Sequence, residues 1–177
     1  GGSAEVLLQN ADAAMYRAKQ IDKGGFRYYT EDMNRSARQW MELKQQLHHA
    51  LSAGQLELYY QPQFNLRSGR MTGAEALIRW NHPERGLLLP DVLIPIAEET
   101  GLLVPIGTWV VRTAVAEARQ WRERTGLELR LAVNISSRQF RYRELLELLE
   151  RVVDDSGALP LALELEITES LVMADPT

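Results

Sequence analysis

The sequence predicts an α/β fold, a parallel sheet or barrel made of strands that alternate with helices. Three observations predict it. Runs at 56–64, 70–80, 129–135 and 161–168 are short, rich in branched, aromatic or alternating apolar residues, and bounded by turn formers. Between the second and third runs, apolar residues recur at three- and four-residue spacing, the period of a helix. The resulting order gives helices that can cover a sheet. No internal repeat and no low-complexity segment interrupts this pattern.

Ahead of that unit, residues 4–22 read as a helix, with Val6, Leu7, Ala11, Ala14, Met15 and Ala18 marking its apolar side. Ser3 is placed to cap its start and Gly24-Gly25 to stop it. Residues 26–29 suit a short strand. A second helix spans 34–53, with Trp40, Leu43, Leu47 and Leu51 on one side and Gly54 just past its end. The polar stretch near 30–42 is the best domain boundary. In the first strand of the larger unit, Pro62 removes a ladder donor and predicts an edge or an irregularity. A turn at 65–69 leads to the second strand, and 83–90 reads as a loop. Residues 91–100 form a short helix and 104–124 a longer one, whose buried side carries Val110, Val111, Ala114, Val115, Ala118 and Trp121. The strand at 129–135 comes next. Leu145, Leu146, Leu148, Leu149, Val152 and Val153 then give a helix across 141–155, ahead of the last strand.

Composition narrows the classes of function. Of the 177 residues, 45% are hydrophobic and 25% charged, the balance of a globular protein. A net charge of -4 argues against a nucleic acid polymer or an anionic membrane as partner. The absence of cysteine excludes disulfides and thiolate zinc sites. No apolar run reaches the length of a membrane span, and the start carries no signal-peptide pattern. A cytoplasmic segment is expected, with an anchor upstream in a longer parent left open.

Strand parity points to a site. Side chains along a strand alternate between faces. In the last strand Leu161, Leu163, Leu165 and Ile167 share the face expected to meet helices, which turns Glu164 and Glu166 to the other side. In the strand before it, Leu129, Leu131, Val133 and Ile135 face the helices and Asn134 points the other way near the strand's end. In the second strand Glu75, Leu77 and Arg79 share a face, with Glu75 and Arg79 ~13 Å apart along it. Carboxylate and amide oxygens gathered near strand ends suit a hard divalent cation. Parity alone serves equally well a structural network in which these groups satisfy one another or pair with arginines.

The same residues resemble a known family. Glu75-Ala76-Leu77-Ile78-Arg79-Trp80 resembles the motif that names the EAL domain. Tyr60-Gln61-Pro62 precedes it, and His82-Pro83, Gly86, Pro90, Ile94-Pro95, Ala97-Glu98, Gly101-Leu102, Ile106-Gly107 and Trp109 come after it in the family's order. Asn134-Ile135-Ser136 and Glu164-Leu165-Glu166-Ile167-Thr168-Glu169 complete the set. Leu93 stands where the family usually has phenylalanine, a difference expected to affect packing only. Asn10-Ala11-Asp12-Ala13-Ala14-Met15-Tyr16-Arg17-Ala18-Lys19 resembles the closing helix of a GGDEF domain, without that domain's catalytic segment.

The resemblance implies three parts: 1–33 as a GGDEF tail, 34–42 as the start of a linker helix, and 43–177 as an EAL domain truncated in its second half. It implies an incomplete TIM-like (β/α) barrel. The implied activity is hydrolysis of cyclic di-GMP to the linear dinucleotide with two magnesium or manganese ions. Glu75, Asn134 and Glu166 would be metal ligands, Arg79 would hold a substrate phosphate and Gln61 would contact the substrate. Glu75 and Glu169 would serve catalysis, Glu169 by anchoring a loop beside the metals. The family's paired aspartates, lysine, later glutamate and later glutamine are not in this sequence, so the fragment alone is expected to be inactive. Two other readings stay open. One is a non-catalytic EAL module that senses cyclic di-GMP or a protein. The other is an interaction fragment. Homodimerisation through the EAL part or the 34–53 helix is a further partner expectation.

The remaining polar and aromatic residues have plainer roles. His48 and His49 read as exposed or capping residues of a helix, and His82 as a structural turn residue. Trp109 and Trp121 read as core. Arg138, Arg141 and Arg143 read as a solvated helix entry.

Overall fold

A computed structural model of the chain describes residues 30–136 and 163–167 throughout, and residues 4, 8, 10, 11, 14, 15, 139, 143, 147 and 149–151 besides. The chain divides into two compact units, Gly1–His49 and Ala50–Thr177.

In the first unit the described residues between 4 and 15 are helical, as the sequence predicts. Ala14 is buried, but Ala11 and Met15 are exposed rather than part of the buried side. The apolar spacing has the helical period, and only its phase differs from the prediction. Ala4, Leu8, Ala11 and Met15 form one stripe at helical spacing and 11, 14 and 18 form another, and spacing alone does not say which meets a core. The expected strand at 26–29 lies outside the described residues. Helix α1 spans Glu31–Ala50 and buries Leu43 and Leu47. His48 and His49 are exposed in its last turn, where basic groups suit the negative end of the helix dipole.

The second unit opens on the closure of that helix. Residues 51–54 continue as a turn, Gly54 takes φ 66°, and the Gln55 N–H bonds to the Ala50 carbonyl at 3.0 Å. A left-handed glycine ahead of this backbone bond is a standard helix stop, and it explains why 51–53 carry helical spacing.

Strands β1 (Leu56–Phe64) and β2 (Met71–His82) pair antiparallel, with Leu56 opposite Trp80 and Gln61 opposite Glu75. This corrects the expectation of a sheet parallel throughout. The connection at 65–70 is too short for a crossover and permits only a hairpin. It is built on Asn65, whose Oδ1 accepts the N–H groups of Arg67 and Ser68, both at 3.0 Å. Pro62 sits in β1 at the end of the strand order, and the register shifts between Gln63 and Phe64, so both consequences expected of it are present.

β2 runs two residues past Trp80 and turns back on a short strand, β3 (Gly86–Leu88), where the sequence predicted only loop. His82 makes that turn. It is buried, and its Nδ1 accepts the N–H groups of Glu84 (3.1 Å) and Arg85 (3.2 Å). Burial first, then Arg85, lowers its pKa against the opposing effect of Glu84, in keeping with a neutral ring that must accept at Nδ1.

Helices α2 (Pro90–Thr100) and α3 (Leu103–Thr125) lead to β4 (Arg130–Ile135), which lies parallel to β2, and β5 (Leu163–Ile167) lies parallel to β4. The order is β1-β2-β4-β5, with β3 beside β2, and the sheet is open among the described residues. Both helices pack on the sheet. Ala74, Ala76, Ile78 and Trp80 of β2, and Leu131, Val133 and Ile135 of β4, supply the sheet's part of the core. Leu93, Ile96, Ile106, Val110, Val111 and Ala114 supply the helices' part.

Leu93 is fully buried, so a change from phenylalanine there is a matter of packing. Trp109 and Trp121 are half-buried rather than core. The Trp121 ring meets the Tyr60 ring edge-on at 4.6 Å, which fixes α3 on the face of the sheet that Tyr60 shares with Ala76 and Trp80. The Tyr60 hydroxyl is buried with no hydrogen-bond partner among the described residues, and its pKa is pushed up to about 12 by burial and then by Glu117. On β5, Leu163 and Leu165 are half-buried and Ile167 exposed, because that strand ends the sheet order among the described residues. The helix expected at 141–155 is described only at 143, 147 and 149–151, all helical. No helix among the described residues is long and apolar enough to cross a membrane.

Candidate functional site

The face of the sheet turned away from α3 carries the polar side chains. Register sets them in rows. Gln61 of β1 stands opposite Glu75 of β2, Glu75 stands beside Ala132 of β4, and Ala132 beside Glu164 of β5. One step toward the C-terminal ends of β4 and β5, Asn134 stands beside Glu166. Partners in register share a face. Gln61, Glu75, Asn134, Glu164 and Glu166 are therefore together on one side, and the apolar partners that alternate with them hold that side in place.

Contacts join the two rows. The Asn134 Nδ2 donates to Glu75 Oε1 at 2.6 Å, although the residues are 59 apart in sequence. The Glu166 carboxyl has its pKa raised, chiefly by burial, then by the negative charge of Glu75 and of Glu164. Arg130 pairs with Glu164 at 3.4 Å, so the structural reading of the carboxylates applies to Glu164. Arg79 lies farther along β2. Its Nη1 donates to the Ile78 carbonyl at 2.9 Å, and its guanidinium sits over the Tyr59 ring, 5.5 Å from the centroid. Gln61 is exposed beside Glu75. Glu169 and Arg138 and Arg141 lie outside the described residues, and Arg143 pairs with Glu147 at 3.5 Å.

The donor set fits a hard cation. No three His, Cys, Asp or Glu side chains gather among the described residues, so a cation site at Glu75 and Glu166 would also need the amide oxygen of Asn134. Burial raises the Glu166 pKa most and the like charges of Glu75 and Glu164 add to it, and a divalent cation beside the carboxylate would oppose that shift. A carboxyl whose pKa is raised on folding stabilises the fold below the ordinary carboxylate range and loses that contribution as pH rises through the raised value. Glu166→Gln is therefore expected to raise the melting temperature at neutral pH in the presence of a chelator. It should also remove part of the decline with pH, as read by scanning calorimetry. An unchanged profile would mean that Glu166 is already balanced.

Sequence reasoning missed three contributors. Tyr59, two residues before Gln61 and so on the same face, holds Arg79. Ala132 keeps the row between Glu75 and Glu164 free of bulk. Gln139 braces the loop that leaves β4, a role that the spacing Ser136-x-x-Gln139 could have signalled.

Known proteins are similar to this chain in sequence and in fold. The chain is 39% identical over 175 residues to the bifunctional diguanylate cyclase/cyclic di-GMP phosphodiesterase MucR of Pseudomonas aeruginosa, covering 99% of this chain and 26% of that protein. It is 38% identical over 173 residues to the cyclic di-GMP phosphodiesterase PdeR of Escherichia coli, covering 98% and 26%. It thus spans about a fifth to a quarter of the curated relatives it matches. Among solved structures, the MucR phosphodiesterase in complex with c-di-GMP aligns with a TM-score of 0.70 at 40% identity, over 76% of this chain and 54% of that one. The Xanthomonas citri FimX EAL domain in complex with c-di-GMP aligns with a TM-score of 0.60 at 27% identity, over 81% and 54%. The open α/β sheet matches these structures in fold and is that of an incomplete TIM-like barrel. The EAL domain family matches residues 44–177, and with its strands, register and motif in place this chain belongs to the EAL domain family.

Proposed function

We propose that this chain supplies the first half of a cyclic di-GMP phosphodiesterase, bringing metal- and phosphate-binding side chains to the hydrolysis of cyclic di-GMP to its linear dinucleotide. The observation that carries the reading is the shared face of Glu75, Asn134 and Glu166, with Glu75 and Arg79 inside the family motif. Glu75, Asn134 and Glu166 hold magnesium or manganese, two ions in the complete domain. When bound, the cations lower the pKa of a water and stabilise charge on the attacking and leaving oxygens. Arg79 orients a substrate phosphate through its fixed fork of donors, itself steadied by Tyr59 and the Ile78 carbonyl. Gln61, exposed beside Glu75, positions the substrate. Glu169, part of the same family motif as Glu166, serves catalysis. Residues 1–33 are the tail of a GGDEF domain and 34–42 the start of a linker. Support for that comes from the match to MucR, named as a bifunctional cyclase and phosphodiesterase, which extends over 99% of this chain.

The test is calorimetry and hydrolysis with the full-length protein that carries this chain. Arg79→Ala is expected to weaken cyclic di-GMP binding by about 1.5–3 kcal/mol, roughly ten- to a hundredfold, with the melting temperature retained. Unchanged affinity would make Arg79 structural. Tight binding without metal-dependent turnover would favour a sensor.

A further inference from the structure

Asn134 is exposed near the end of β4, and a strand end with no brace frays readily. The loop beyond this strand is braced. The Ser136 N–H donates to Gln139 Oε1 at 2.8 Å, and the Gln139 N–H donates to Ser136 Oγ at 3.3 Å. This reciprocal pair is a capping box at the start of the next helix. A third bond does something a cap does not require. Gln139 Nε2 donates to the Leu103 carbonyl at 2.9 Å, across 36 residues, at the first turn of α3. That carbonyl can accept it because an oxygen has two lone pairs. Space for it exists because residue 107, one turn along, is glycine. A Cβ at Gly107 would collide with the Gln139 amide. Gln139 is 6% exposed and both ends of its amide are engaged, so its orientation is fixed.

A glutamate would complete the capping box equally well. It could not donate to Leu103. Glutamine at 139 and glycine at 107 together therefore serve the link to α3 rather than the cap.

We infer that Gln139 is a positioning residue for Asn134: by tying the loop after β4 to the first turn of α3, it sets the height of the Asn134 amide against Glu75. The inference rests on the proposed metal role for Asn134 only for its functional consequence. Its structural core stands on the three bonds and on Gly107.

The experiment uses the metal-free full-length protein and its Gln139→Glu and Gly107→Ala variants. Glu at 139 keeps the cap and removes the donor to Leu103. Ala at 107 keeps Gln139 and displaces it. Crystal structures read the distance from Asn134 Nδ2 to Glu75 Oε1, and calorimetry reads Mn2+ affinity. In both variants the bond should open beyond hydrogen-bond reach and Mn2+ affinity should fall about tenfold, the range seen when the support of a metal ligand is lost. Val111→Ala, a cavity in the same helix two turns beyond Leu103, is the control for general destabilisation. It should lower the melting temperature and leave both readings as they were. An intact Asn134–Glu75 bond in both folded variants overturns the inference. So does an equal effect of Val111→Ala, or failure of both variants to fold, since either would make the link a requirement of the fold alone. A wild-type protein that takes up no Mn2+ would count against the metal reading, while the distances would still decide the role of Gln139.

Discussion

Glu75→Gln is expected to reduce metal-dependent hydrolysis of cyclic di-GMP by the full-length protein roughly a thousandfold or more, a loss of several kcal/mol of transition-state stabilisation. The substitution is nearly isosteric. Its amide oxygen can still accept from Asn134 Nδ2, so the 2.6 Å contact that joins β2 to β4 need not be lost. What goes is the negative charge, and with it one carboxylate from a proposed ligand set that, among the described residues, holds two carboxylates and an amide. The same change removes a charge that raises the Glu166 pKa, so the fold should be no less stable without metal. A nucleotide-separation assay with manganese, alongside thermal melts, separates these effects. Activity near that of the wild type would move the metal away from Glu75.

Trp80→Ala should produce the largest loss of stability. Trp80 is fully buried, stands opposite Leu56 of β1 and Leu88 of β3, and lies 5.0 Å from the His82 ring. Its Nε1 also donates to Gln55 Oε1 at 3.2 Å, which ties the second strand to the residue just past the 51–54 turn. Truncation leaves a cavity bounded by two strands and an unpaired amide oxygen, and should cost about 3–5 kcal/mol. Trp80→Phe should cost markedly less, since the ring packing survives and only the Gln55 bond is lost. Urea midpoints for the two variants give the comparison. Equal midpoints would assign the stability to the hydrogen bond rather than to packing.

Much of this arrangement is legible in the sequence because strand parity is rigid. With Leu131, Val133 and Ile135 assigned to the helices, Asn134 has to face the other way, and the same logic turns Glu166 with it. Helix ends are legible where glycine marks them, as at Gly54. Three residues of strand at 86–88 are not, because a segment that short carries no period, and its pairing with 80–82 depends on a turn made by a buried histidine. The antiparallel start of the sheet is dictated by the length of the 65–70 turn, a cue outweighed by the alternation of strands and helices farther on. The partition of the carboxylates is beyond the sequence. Glu164 and Glu166 have the same parity, and only the register that sets Arg130 within 3.4 Å of one of them separates a paired side chain from one whose pKa is raised. Likewise, the choice of Asn134 as the partner of Glu75 depends on how two strands are offset, which no spacing within either strand records.

The Asn134–Glu75 contact would also compete with the metal proposed for this site. The amide now presents its nitrogen to Glu75. To coordinate a cation it would have to present its oxygen, and the two ends of an amide exchange by a half-turn about one side-chain bond. A cation held by Asn134 in the proposed site would have to displace a hydrogen bond already formed, which would weaken its binding by the net worth of that bond. In this way a neutral amide would tune the proposed site: the contact that joins β2 to β4 without an ion also bears on how tightly an ion would be held.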